Sequence, residues 1–193
     1  MKLTKLLLEY PGAFTPAPDD EVERNKEDWE ETRSVTSILR NYIEKGSKGD
    51  LNLGGEYGQD DGEPSTDLMD ITSLPDNLTV DGDFIIIFAE ELLRLPRNLT
   101  VKGDLHMDWS GVEALPDDLK VGGSIYAAAC TNLRYIPENF TVNGDLIITN
   151  AYNLRHLPKG LTVKKELTIA QTGIKSVRHL PNDLQAGKVI FEP

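Results

Sequence analysis

The 193-residue chain is 39% apolar and 27% charged, with 16 glycines and 11 prolines, a composition that admits a packed core and excludes collagen-like or low-complexity structure. Its single cysteine excludes an internal disulfide and points to a reducing compartment, and no run approaches the ~18 apolar residues of a membrane-spanning helix. Net charge is −12 and uneven: residues 1–67 carry 8 basic against 16 acidic side chains, residues 68–150 carry 5 against 13, and residues 151–193 carry 7 against 3. An acidic body opposes direct nucleic-acid binding, which depends on neutralising phosphates, and favours protein partners with a basic or mixed surface. A cytoplasmic protein without membrane association is expected.

The first third of the chain does not repeat. Leu3, Leu6, Leu7 and Tyr10 fall at helical spacing and are halted by Pro11-Gly12, while Pro11, Pro16 and Pro18 keep residues 11–18 irregular. Val35, Ile38, Leu39, Tyr42 and Ile43 then form one apolar helical face, with Ser34 or Thr32 placed to cap its start and Gly46 to end it. Val22 and Trp29 extend that face backwards if the helix begins near Asp19. Residues 1–47 are therefore predicted to be a helical cap over the first coil of the repeats. Lys48-Gly-Asp-Leu-Asn-Leu53 echoes Lys102-Gly-Asp-Leu-His-Met107, so residues 48–67 are predicted to hold an imperfect first strand and an acidic loop.

From residue 68 onward the chain repeats. A Leu/Ile-Pro pair recurs at Pro75, Pro96, Pro116, Pro137, Pro158 and Pro181, 20–23 residues apart. Five prolines are followed by one phrase, such as PDNLTVDGDFII from Pro75 and PENFTVNGDLII from Pro137, and a degenerate copy follows Pro181. Within a phrase Leu78, Val80, Gly82, Phe84 and Ile86 share one parity and Thr79, Asp81, Asp83, Ile85 and Ile87 the other, the period of a strand. The glycine at 82, 103, 123 and 144 interrupts the apolar row and marks a corner between two short strands. One coil cannot bury its inner face alone, so copies must stack. The predicted fold is mainly β: a right-handed parallel β-solenoid of five to six ~21-residue coils over 68–193. Its strand phrases should lie at 78–87, 99–108, 119–128, 140–149 and 161–170.

Leu105-His-Met107-Asp-Trp-Ser110-Gly-Val112-Glu-Ala-Leu115-Pro116 and Leu167-Thr-Ile169-Ala-Gln-Thr172-Gly-Ile174 resemble leucine-rich repeats, of the short proline-bearing type found in bacterial and phage proteins. The resemblance covers roughly residues 68–191. Small residues (Ala89, Ser110, Cys130, Ala151, Thr172) stand where that family has an Asn ladder, and V-x-G-D-L replaces its usual L-x-x-L. The resemblance implies a repeat module that works by binding protein, and a phage-encoded antagonist of a host defence or nucleic-acid enzyme is its most concrete form.

Motifs for chemistry are missing from the sequence. There is no G-x-x-x-x-G-K-[ST], G-x-S-x-G or H-E-x-x-H, and Asp60-Asp61-Gly62-Glu63 lacks calcium-loop spacing. Cys130 occupies the small-residue turn position and reads as structural. His106, His156 and His179 lack a metal-ligand spacing, so no metal or cofactor is expected and the protein is not read as an enzyme.

Stacking brings outward residues one coil apart to about 5 Å. Asp83, Asp104, Ser124, Asp145 and Glu166 form an acidic column that needs solvent or a cationic partner. Beside it run Ile85, His106, Tyr126, Ile147 and Thr168, then Ile87, Asp108, Ala128, Thr149 and Ala170, with Phe88 and Trp109 extending the apolar part. Asp83, Ile85, Asp104, His106, Asp108, Trp109, Tyr126, Asp145 and Ile147 are the candidate partner-binding residues. A basic column, Arg134, Arg155 and Arg178 preceded by Arg94, offers a second surface. The expected function is a binding module acting as inhibitor or adaptor. The alternatives are an acidic nucleic-acid mimic and a structural or assembly protein.

Overall fold

A computed structural model of the chain describes residues 35–54 and 71–193. The expected helices over 3–10 and 19–33, the caps Thr32 and Ser34, and most of the acidic loop lie outside the described residues.

Helix α1 spans Val35–Glu44 and ends as its sequence requires. Gly46 takes φ +82°, its N–H bonds the Ile43 carbonyl and the Ser47 N–H bonds the Tyr42 carbonyl, which closes the last turn in a Schellman arrangement. Tyr42 is buried, and Val35, Ile38 and Leu39 pack against the same core. The Tyr42 hydroxyl accepts the Asp81 N–H at 3.0 Å and donates towards the Ser47 and Gly49 carbonyls at 2.9 and 3.0 Å. One phenol thus ties the helix to the first full coil. Tyr42→Phe keeps the ring but strands the Asp81 N–H. It should cost about 1–3 kcal/mol, read as a lowered denaturation midpoint at unchanged slope.

Strand β1 (Leu51–Asn52) is the imperfect first strand expected from the 48–53 echo, and it pairs in parallel with β3 (Phe84–Ile85). Each coil then carries two short strands: β2 (Thr79–Val80) with β3, β4 (Thr100–Val101) with β5 (Leu105–His106), β6 (Lys120–Val121) with β7 (Ile125–Tyr126), and β8 (Thr141–Val142) with β9 (Leu146–Thr149). In the next coil β10 runs unbroken from Thr162 to Ala170, and β11 (Gln185–Glu192) closes the stack. The second strands form one parallel sheet in the order β1-β3-β5-β7-β9-β10-β11, with β8 also on β10. The first strands β2, β4 and β6 form another. Parallel pairing keeps the copies in register: Leu105 lies between Phe84 and Ile125, and His106 between Ile85 and Tyr126.

The interior is a set of apolar columns. Leu78, Leu99 and Leu161 stack in one, Val80, Val101 and Val142 in the next, and Phe84, Leu105 and Leu146 beyond the corner. The small turn residues Ala89, Ser110, Cys130, Ala151 and Thr172 form a buried column of their own, where a larger side chain would hold the coils apart. The continuous strand phrases expected at 78–87 and its copies are broken in all but the fifth coil. The break falls at Gly-Asp, where the ladder passes from backbone carbonyls to side chains.

In the coils that begin at Pro75, Pro96, Pro137 and Pro158 two residues turn the chain through the left-handed region, and in the coil that begins at Pro116 one does, Ala129. Asn77, Asn98, Asn139 and Gly160 do so just after the proline, and all are residue types that tolerate it. Phe88, Trp109, Ala129, Asn150 and Gln171 do so at the end of the second strand.

Candidate partner-binding face

The acidic column is built into the fold. Asp50 Oδ1 accepts the Asp83 N–H at 2.8 Å, Asp83 Oδ1 accepts the Asp104 N–H at 2.7 Å, and Asp104 Oδ1 accepts the Ser124 N–H at 2.6 Å. Ser124 Oγ then takes the Asp145 N–H at 3.0 Å and Asp145 Oδ1 the Glu166 N–H at 2.8 Å. Each side chain caps the same backbone position one coil later. The column therefore does not wait for solvent or a cationic partner, as its sequence suggested; one oxygen of each carboxylate serves the next coil. The preceding glycines stack backbone on backbone, Gly103 N–H on the Gly82 carbonyl and Gly123 N–H on the Gly103 carbonyl, both at 2.9 Å. The ladder ends at Glu166, which hydrogen-bonds Lys188 and Thr168 instead. Those two bonds hold its carboxyl below the usual carboxylate range.

Beside the ladder, Ile85, His106, Tyr126 and Ile147 are half-buried at matching register. The His106 and Tyr126 rings stack with centroids 4.6 Å apart and planes inclined by 8°. Farther along the same coils Phe88 and Trp109 stack at 5.9 Å and 29°. Between them Asp108 accepts the Ala128 N–H at 2.5 Å, so it too spends an oxygen on the stack. Trp109 remains 51% exposed although its backbone is left-handed at φ 60°. The turn needs that conformation in every coil, and Asn150 meets it with a residue suited to it. A bulky ring there is locally unfavourable. Two successive aromatic residues at this turn, one of them half in water, gain little for the fold.

The expected basic column is corrected by its register. The Glu113 N–H bonds the Leu93 carbonyl, the Arg134 N–H bonds the Glu113 carbonyl, and Ala114 bridges Tyr135 in parallel. Arg134 therefore follows Leu93 and Glu113, while Arg94 stands one residue out of line, beside Ala114. The offset lies in the sequence itself: Arg94 stands two residues before Pro96, whereas Arg134 stands three before Pro137. Arg134 pairs with Glu113 at 2.5 Å. With Asn132, Asn153, Arg155 and His156 they line a polar groove of about 580 Å³. Arg178 lies in a 3-10 helix, Val177–His179, in the longer last coil.

Cys130 is buried, donates to the Met107 carbonyl at 2.9 Å and sits 3.5 Å from Ser110 Oγ. Burial pushes its thiol from 9.0 up to about 11. The protonated form is therefore favoured by folding. That contribution is complete below pH 9.0 and is lost as pH rises towards about 11. Denaturation midpoints across this window should show the gap between wild type and Cys130→Ala narrowing with rising pH.

Among the described residues no three His, Cys, Asp or Glu side chains gather to hold a metal ion, and no helix is long and apolar enough to cross a membrane. No family model, curated protein or solved structure matches the chain.

Proposed function

We propose that this chain is a protein-binding repeat module of leucine-rich-repeat type, which works as an inhibitor or adaptor by occupying a protein partner. The contact face is the outer side of the second sheet, from Ile85 and Ile147 through His106 and Tyr126 to Trp109. Trp109 carries the reading: a half-exposed indole, stacked on Phe88, held at a turn where a smaller or more polar residue would fit better. Trp and Tyr are favoured anchors because they bring large rigid apolar area together with a polar tip. Asp83, Asp104, Asp108 and Asp145 border the aromatic residues, and their second oxygens would meet a basic rim on the partner.

The ladder weighs against nucleic-acid mimicry. A phosphate mimic presents its carboxylates with both oxygens open to a cationic groove, and here one oxygen of each already serves the backbone of the next coil. Salt tests the choice. Affinity for the partner captured on the tagged protein should change by less than about tenfold between roughly 50 and 200 mM salt. A fall of about a thousandfold or more over that range is what phosphate-like contacts would give, and would favour the mimic.

A further inference from the structure

The two ends of the solenoid are finished differently. At the N-terminal end α1 packs Tyr42, Val35, Ile38 and Leu39 against the core. At the other end β11 is the last strand of the sheet, and among the described residues nothing pairs with its outer edge. It is eight residues long, contains no proline, and leaves Val189 42% exposed, although Val189 is in register with the fully buried Leu167. An end coil left in water normally carries a polar outer face, and a long uncovered edge invites another strand.

We propose that a second copy of this chain covers the edge, β11 against β11, about a two-fold axis through Ile190. Backbone and charge lead to the same register. In earlier coils Phe84 and Ile86 donate their N–H groups to the following coil, at 2.8 Å each. Val189 and Phe191 hold the corresponding places, so their N–H groups point out of the edge. A two-fold axis makes the pairing antiparallel. With Ile190 opposite its own copy, Val189 faces Phe191 of the other chain, and the outward groups of the two residues exchange hydrogen bonds. The same register sets Lys188 opposite Glu192 twice in the dimer. Pairing within one sheet keeps inward faces inward, so the two open core ends meet and Val189 is covered.

The full chain at about 100 μM, where even a micromolar complex is mostly formed, should show twice the 21.4 kDa chain mass by light scattering. Lys188→Glu and Glu192→Lys should each raise the dissociation constant at least tenfold, and the double exchange should restore it. The intrachain Lys188–Glu166 pair stays broken in the double variant, so recovery reports the interchain contact alone. Val189→Asp should give a monomer whose thermal melt is still cooperative. A wild-type chain at 21.4 kDa overturns the proposal. So does a dimer indifferent to these changes, or one that the double exchange fails to restore.

Discussion

Gly103→Ala is expected to destabilise the protein by about 3 kcal/mol or more, at the upper end for overpacking and well above a typical surface change. A Cβ at this position would lie 2.8 Å from the carbonyl carbon and oxygen of Gly82 and closer still to the Asp83 carboxylate. Neither neighbour can yield cheaply. The Gly82 carbonyl accepts the Gly103 N–H, and Asp83 Oδ1 accepts the Asp104 N–H. A methyl group would open two rungs of the ladder at once. Asp83→Ala in the same chain removes the nearer obstacle but leaves the Gly82 backbone, so the double variant should recover only part of the loss. Denaturant midpoints measure both. A cost below about 1 kcal/mol for Gly103→Ala would mean that the coils separate freely at this corner.

Trp109→Ala should weaken partner binding by about 2–4 kcal/mol, the range of a central aromatic anchor. Folding should change by less than about 1 kcal/mol, because the loss of the Phe88 stack is offset by relief at the left-handed turn. Trp109→Asn sharpens the test, since Asn suits that backbone and makes no large apolar contact. It should melt no lower than wild type while binding as poorly as the alanine variant. Tyr126→Ala, half-buried under His106, should cost about 1–3 kcal/mol of affinity. Arg155→Glu, on the polar groove, should leave affinity unchanged. Isothermal titration against the captured partner reads all four, and a loss confined to Arg155→Glu would move the contact to the groove.

The stacking was legible in the sequence because burial in a solenoid repeats with the coil. Val80, Val101 and Val142 announce one column, and the Lys48–Leu53 echo located β1 although it lacks the full phrase. The face of α1 was equally plain, since Val35, Ile38, Leu39 and Tyr42 recur at helical spacing. The roles of polar residues were harder to read. An aspartate at an outward place in a strand can serve water, a partner or its own backbone, and only the coil spacing shows that Asp83 reaches the Asp104 N–H. The glycine before it read as a bend, yet what excludes a side chain at Gly103 is the closeness of the coil beneath. Arg94 was misplaced by one residue because it stands two residues before its proline, whereas Arg134, Arg155 and Arg178 stand three before theirs, and the register of the return turn counts back from the proline. The candidate face was visible as separate outward residues, whereas the His106–Tyr126 and Phe88–Trp109 stacks depend on rotamers that periodicity does not encode.

Site-specific photocrosslinking in living cells tests the central claim most directly. A benzophenone side chain placed at position 109 should give a discrete adduct with one partner protein, and the same group at position 155 should give none. An adduct from position 155 alone, or none from position 109, would contradict the assignment of the aromatic end of the sheet as the binding face.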